Sequence, residues 1–255
     1  MKNYFDFLLA MTEKEIKARY KNAVLGFLWI LLNPLFQMLI IGFVFQNFIK
    51  TPGSDYFLFL FTGLLPWNFF SYSLTKTTPS IVFERDLIQK AKFPREAIPL
   101  SIVFSNFFHL LVSFLLLAIY LIFRGNFQFL SSPLRLVYFF SSLFWILSFS
   151  CGVSLLFSSL NVKYRDVNFF VQALSILWFY ATPIIYSLSI LPPNYLSLFK
   201  YNPLAYPSEM FRTSLISTTL PPKEIFSTNL LLSILIIILG IIFFLKENKN
   251  FSDWL

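Results

Sequence analysis

Few residues in this chain could do chemistry, and where they sit decides what they can do. There is one histidine, His109, and one cysteine, Cys151, each inside an apolar run. A lone cysteine forms no intrachain disulfide, and no Cys/His cluster has the spacing of a metal site. No glycine-rich loop closes on Gly-Lys-Ser/Thr, so the phosphate cradle of P-loop nucleotide hydrolases is missing. H-E-x-x-H and G-x-S-x-G are missing too. The sequence therefore predicts no catalytic residue, no metal and no cofactor held by this chain. No Asp or Glu lies well inside a long apolar run, which argues against proton relays and ion-coupled carriers. His109 is the one ionisable group deep in such a run. It reads either as a polar contact lining a pathway or as a neutral imidazole bonded to a neighbouring helix.

What remains is binding chemistry. Asn168, Gln172, Ser175, Phe179, Thr182 and Tyr186 follow helical steps of three and four, opposite a wholly apolar face. Earlier in the chain Gly26, Trp29, Asn33, Phe36, Phe43 and Asn47 align in the same way, with Gln37 beside them. Polar side chains avoid lipid, so each stripe points either at a water-filled path or at a neighbouring helix that it bonds. Both stripes combine amides with aromatic rings, and sugars present apolar C–H faces that pack on rings. Trp29, Asn33, Phe36, Gln37, Phe43, Gln172, Ser175, Phe179, Thr182 and Tyr186 are therefore the candidate translocation path.

A second kind of site is charged. Glu84, Arg85, Asp86, Lys92, Arg95 and Glu96 form a loop of mixed sign with apolar Leu87, Ile88 and Phe93 between them. A shorter one is Lys163, Tyr164, Arg165 and Asp166. Each is either a solvated loop or a short element that docks on a soluble partner, apolar anchors supplying contact and charges setting register.

The elements that must position these groups are spelled out by hydropathy. The mean hydropathy is +0.70, and 57% of the residues are hydrophobic. Crossing about 30 Å of hydrocarbon takes about 20 helical residues. Six runs reach that length, at about 24–49, 56–75, 98–123, 134–160, 167–188 and 227–245. Residues 1–22 read instead as an amphipathic helix lying in the interface, with Phe5, Leu8, Leu9, Thr12 and Ile16 near one face. Lys14, Lys17, Arg19 and Lys21 interrupt this segment, unlike a cleaved signal. The segment 189–226 is proline-rich and lightly charged. The expected fold is all-α: one polytopic membrane domain over 1–255.

Charge gives orientation. Thirteen Lys/Arg fall in the N-terminal segment, loops 84–97 and 161–166 and the tail. Six (Lys50, Arg124, Arg135, Lys200, Arg212 and Lys223) fall on the other side, and Lys76 is borderline. The heavier side is cytoplasmic, and an even number of crossings puts both termini there. The formal net charge of +8 then reflects topology and contact with anionic headgroups or an acidic partner. It forms no basic stripe of the kind that binds nucleic acid.

Several stretches resemble the membrane subunits of type-2 ABC exporters that move lipid-linked polysaccharides. They are Arg19-Tyr-Lys-Asn-Ala-Val-Leu-Gly-Phe-Leu-Trp29 running to Leu32-Asn-Pro34, Phe93-Pro-Arg-Glu-Ala-Ile-Pro99, Asn161-Val-Lys-Tyr-Arg-Asp-Val167, and Ala181-Thr-Pro-Ile-Ile-Tyr186 followed by Tyr201-Asn-Pro-Leu204. Their order and spacing match over nearly the whole chain, and the likeness in kind is to O-antigen exporter permeases, with teichoic-acid and capsule permeases near. The resemblance implies a homodimer of six-helix permeases in the inner membrane, joined to two ATPase subunits that bind ATP and magnesium. It implies that Glu84–Glu96 and Lys163–Asp166 are cytoplasmic coupling elements, and that re-entrant gate helices precede the last span. The alternatives are a drug or small-lipid exporter of the same architecture and, from another class, an ion-coupled carrier.

Overall fold

The structure is a computed structural model that describes residues 2–21, 24–48, 55–125, 132–188, 192, 199, 202–217 and 224–255. Among these residues all regular structure is helical. Long helices are α2 (Trp29–Phe48), α3 (Tyr56–Thr77), α6 (Ala97–Phe123), α7 (Pro133–Lys163) and α10 (Glu224–Glu247). Each is long and apolar enough to cross a bilayer. Shorter ones are α1 (Lys2–Tyr20), α4 (Ser80–Phe83), α5 (Arg85–Lys90), α8 (Val167–Ala181), α9 (Ala205–Ile216) and α11 (Phe251–Trp254).

Local sequence sets the boundaries. Pro133 opens α7 at a position where its missing N–H costs nothing. Pro99 sits in the first turn of α6 for the same reason. Gly26 takes φ +46, a left-handed turn that favours glycine. It opens the 3-10 turn Gly26–Leu28 ahead of α2, so the first long helix begins several residues later than hydropathy suggests. Ile49 and Lys50, at the expected end of that span, lie outside the described residues.

Small residues let helices approach. Ser148 and Gly152, one turn apart on α7, are buried, the spacing that brings membrane helices together. A Cβ on Gly152 would lie 2.6 Å from the Ile236 carbonyl oxygen, and one on Gly240 would collide with the Gly152 backbone. The α7–α10 crossing is therefore in backbone contact. Leu58, Phe61, Val103, Leu117, Phe139 and Phe211 pack one core where α3, α6, α7 and α9 meet.

The second half departs from expectation. α8 has 15 residues, about 22 Å at 1.5 Å per residue, short of the hydrocarbon thickness. It ends at Ala181 because Thr182 precedes Pro183. A residue before proline is steered to extended backbone, and Thr182 has φ −106 and ψ 136. The run expected to continue to 188 is a turn segment from Thr182 onward. Within 189–226, α9 is a 12-residue helix whose outer end meets the start of α7. Arg135 there donates to the carbonyls of Thr213 and Ser217 at 3.2 and 2.6 Å. Pro193, Pro221, Pro222, Lys200 and Lys223 lie outside the described residues.

Candidate translocation groove and coupling surface

One end of the bundle gathers the charged candidates. Ile81, Ile88, Ile98, Leu155, Val162, Phe244 and Phe251 form a buried cluster there, with Phe7, Met11, Leu87 and Phe93 packed into it. It joins α1, α4, α5, the first turn of α6, the last turns of α7 and α10, and α11. Polar contacts tie the same parts. Lys14 pairs with Glu84 at 2.7 Å, and Arg95 donates to the Asn248 carbonyl at 2.7 Å. The Lys163 ammonium lies over the rings of Tyr164 and Trp254, 5.2 and 5.3 Å from their centroids. Arg165 reaches the Trp254 carbonyl at 3.5 Å. Tyr4 stands close enough to Glu96 that this charge, after burial, holds its phenol above the usual range.

The two charged loops, far apart in sequence, thus form one surface. Lys163, Tyr164, Arg165 and Asp166 project from a tight turn between α7 and α8 and are exposed. Arg85 and Asp86 are exposed on α5, while Ile88 is buried beneath them. Phe83 has 81% of its surface exposed. Leu87 and Phe93 face the cluster rather than solvent, so these two anchors hold the loop to its own bundle.

The path candidates fall into four groups. Gln37, Ser175 and Phe179 line one groove of about 300 Å³ between α2, α3 and α8, with Trp67, Asn68 and Ser71 of α3 between them. Asn68 donates to the Gln37 side chain at 2.8 Å, and Trp67 tilts against Phe179 at 5.5 Å. Trp29 and Asn33 line a different cavity, shared with α1 and α6. Phe36, Phe43 and Gln172 face outward. Thr182 is fully buried and donates back to the Trp178 carbonyl at 2.8 Å. The Tyr186 hydroxyl donates to the Tyr180 carbonyl at 2.9 Å.

Two motifs meet at the end of α8. The Asn202 side-chain amide donates to the Ala181 carbonyl at 2.9 Å, and its oxygen accepts from the Trp178 indole at 3.1 Å. That oxygen also accepts from the Leu204 amide at 3.1 Å. Arg212 of α9 then holds the next two residues, donating to the carbonyls of Pro183 and Ile184 at 3.1 Å each. Its charge is matched by Glu209 at 2.6 Å, and its guanidinium lies 3.7 Å from the Phe59 ring centroid. Gly63 leaves the space, since a Cβ there would strike Arg212. Tyr56 completes the clamp by donating to the Ile185 carbonyl at 2.9 Å. The charge count places Arg135 and Arg212 among the six Lys/Arg of the poorer side. Both are buried, and each satisfies backbone carbonyls that proline or a helix end has freed. The Glu209-x-x-Arg212 spacing was the available signal.

A family model for the ABC-2 type transporter matches residues 7–216. The chain belongs to the ABC-2 type transporter family. It is a multi-pass membrane protein, with five helices among the described residues apolar and long enough to span. It is similar to the "O-antigen export system permease protein RfbA" of Klebsiella pneumoniae, 32% identical over 98% of this chain and 95% of that protein. A protein of the same name from Myxococcus xanthus is 34% identical over 73% of this chain and 70% of its own length. The "Polysialic acid transport protein KpsM" of Escherichia coli is 24% identical over 81% and 80%. In this ABC-2 chain, the described parts of the four stretches singled out by resemblance are structural joints. The first carries Arg19 to α6, the second and third build the charged end, and the last supplies Asn202 and the backbone after α8 that Arg212 holds.

Proposed function

We propose that this chain is the permease subunit of an ATP-driven exporter that moves a lipid-linked polysaccharide, O-antigen in kind, from cytoplasm to periplasm across the inner membrane. The observation that carries this is the gathering of both charged loops, α1 and residues 251–255 at one end of the bundle, in a chain without a nucleotide-binding loop. The relatives named as polysaccharide export permeases support the substrate class. Two copies of the chain and two ATPase subunits, which bind ATP and magnesium, make the complete machine. The charged end receives the ATPases, so both termini are cytoplasmic, and tilting of the helices passes the stroke to the groove.

Six crossings fit this reading. α7 and α10 both end in the charged cluster, so α10 starts at the opposite end. α8 starts at the charged end, and the chain must therefore cross once between 167 and 224. In our reading α8 with the clamped segment 182–188 makes that crossing, and α9 is the re-entrant gate helix. The polymer passes along the groove between α2, α3 and α8, near the dimer axis. Gln37, Ser175 and Phe179 touch it, and the outward Phe36, Phe43 and Gln172 are completed by the second copy.

The test exchanges Glu84–Glu96 for a neutral flexible loop in cells that carry the ATPase. Export of polysaccharide is expected to stop, while the protein still inserts and accumulates. Export at the unaltered level would refute the docking role.

A further inference from the structure

The cavity beneath α1, lined by the path candidates Trp29 and Asn33, lies outside the groove assigned to the polymer and holds a half-buried cation, Arg19. Arg19 leaves the last turn of α1 and enters the seam between α2, α3 and α6. One of its nitrogens donates to Asn106 Oδ1 at 2.5 Å, and another meets His109 Nδ1. A ring nitrogen that faces a guanidinium must accept, so the imidazole is neutral with its proton on Nε2. That nitrogen lies 3.2 Å from the Tyr20 hydroxyl. The cavity measures about 170 Å³, also takes in Asn33, Asn68 and Tyr72, and no carboxylate lines it.

Among the described residues no carboxylate pairs with Arg19. Lys76 stands within electrostatic reach of Arg19 and His109 and adds to the positive field, and Glu15 bears on Lys76 from α1. His109 sits just over three turns into α6, about 18 Å from its start by helical rise. Arg19, half-buried against this stretch of α6, has among the described residues no anionic partner to offset its charge, and such a cation marks a place where an anion is received. Guanidinium and imidazole N–H groups with nearby amides are the donor set that phosphate oxygens favour.

Along the same helices lies a second, apolar cavity of about 520 Å³, lined by Leu35, Met38, Phe61 and Leu116, with Asp55 and Arg124 at its far end. The two cavities follow one another on α3 and α6. Ser113 lines the first and Leu117, one turn later on α6, lines the second; Leu65 and Phe61, one turn apart, stand in the same relation on α3. The Asp55–Arg124 ion pair, at 2.9 Å, marks its far end. A polar cationic head followed by an apolar slot is the shape of one amphiphile with an anionic end.

We propose that the α2–α3–α6 seam binds one phosphate-headed membrane lipid, its phosphate against Arg19 and the amides and its chain in the apolar slot. The head cavity is smaller than the range of about 300–1,000 Å³ that drug-sized ligands need. It admits a headgroup phosphate and excludes an oligosaccharide. The site shares Asn68 with the groove between α2, α3 and α8 but opens toward α1 and α6, and its test needs neither polymer nor ATPase.

Native mass spectrometry of the purified full chain, with phosphatidic acid or diacylglycerol of the same acyl chains added, reads the site directly. One phosphatidic acid per chain is expected to stay bound under activation that strips diacylglycerol. Arg19→Gln is expected to weaken retention about tenfold or more, the scale of a lost charge-assisted bond, and Arg19→Lys to restore most of it. Leu116→Trp fills the apolar slot, leaves Arg19, His109 and Asn106 in place, and is expected to weaken retention as well. It decides the matter if Arg19→Gln fails to fold. Equal retention of the two lipids, or no loss in Leu116→Trp, would overturn the proposal. So would displacement of the bound lipid by millimolar inorganic phosphate with Leu116→Trp silent, which would mark a site for free anions.

Discussion

Arg212 shows how much one residue can hold. It is 2% exposed, yet it bonds two carbonyls, one carboxylate and an aromatic face. Removing one member of a buried ion pair costs about 3–5 kcal/mol, because the other is left charged and dry. Arg212→Ala is expected to lose about that much, with the backbone after α8 released at the same time. Glu209→Gln is expected to lose less, since the amide oxygen still accepts from the guanidinium. Thermal unfolding of the detergent-solubilised variants, followed by circular dichroism, measures the difference. Equal stability of Arg212→Ala and the parent would show that the clamp is not under load. Sequence reading passed over this residue for a physical reason: a charge between apolar runs is indistinguishable, in one dimension, from a charge in a loop.

The five long helices were legible as elements, because only sustained apolar length can cross a bilayer and that length is visible in composition. Their ends were less so. Pro183 stops α8 seven residues before the apolar run ends, since apolar content says nothing about backbone conformation. The stripes were half legible. The step of three and four put Ser175 and Phe179 on one face of α8, and Gln37, which lay beside the α2 stripe rather than on it, lines the same groove. That step could not show that α2 turns Trp29 and Asn33 toward α1 and α6 instead. Helix contact was hidden altogether in two glycines. Gly240→Ala separates two effects of opposite sign. Alanine favours an isolated helix by about 1 kcal/mol, but here its methyl would collide with the Gly152 backbone. Backbone cannot move aside as a flexible side chain can, so α10 must shift outward along its length. The collision is expected to win, and Gly240→Ala to melt lower than the parent. A rise in melting temperature would mean that the α7–α10 crossing is looser than this contact implies.

At the scale of the whole molecule, topology follows from which ends of the helices lie together. α1, α5, the Tyr164–Asp166 turn and residues 251–255 share one surface. Asp55 and Arg124 mark the other end, where α3 begins and α6 stops. The Lys/Arg count assigns to one side the same segments that share the first surface, while two of the charges assigned to the poorer side, Arg135 and Arg212, are buried and three, Lys50, Lys200 and Lys223, lie outside the described residues. Discounting the two buried arginines sharpens the asymmetry on which the positive-inside rule depends. Cys151 is the single cysteine and is buried, so Cys151→Ser gives a background in which one new thiol reports one position. Lys163→Cys and Lys249→Cys are expected to react with a membrane-impermeant maleimide only in inside-out vesicles, and Arg124→Cys only in intact spheroplasts. If α8 and the segment after it failed to cross, Lys163 and Lys249 would still label together, because α7 and α10 end side by side. The crossing is therefore read at Ser187→Cys, just past the clamp. Labelling there from the Arg124 side supports a sixth crossing, and labelling from the Lys163 side would reduce α8 to a helix that dips in and returns.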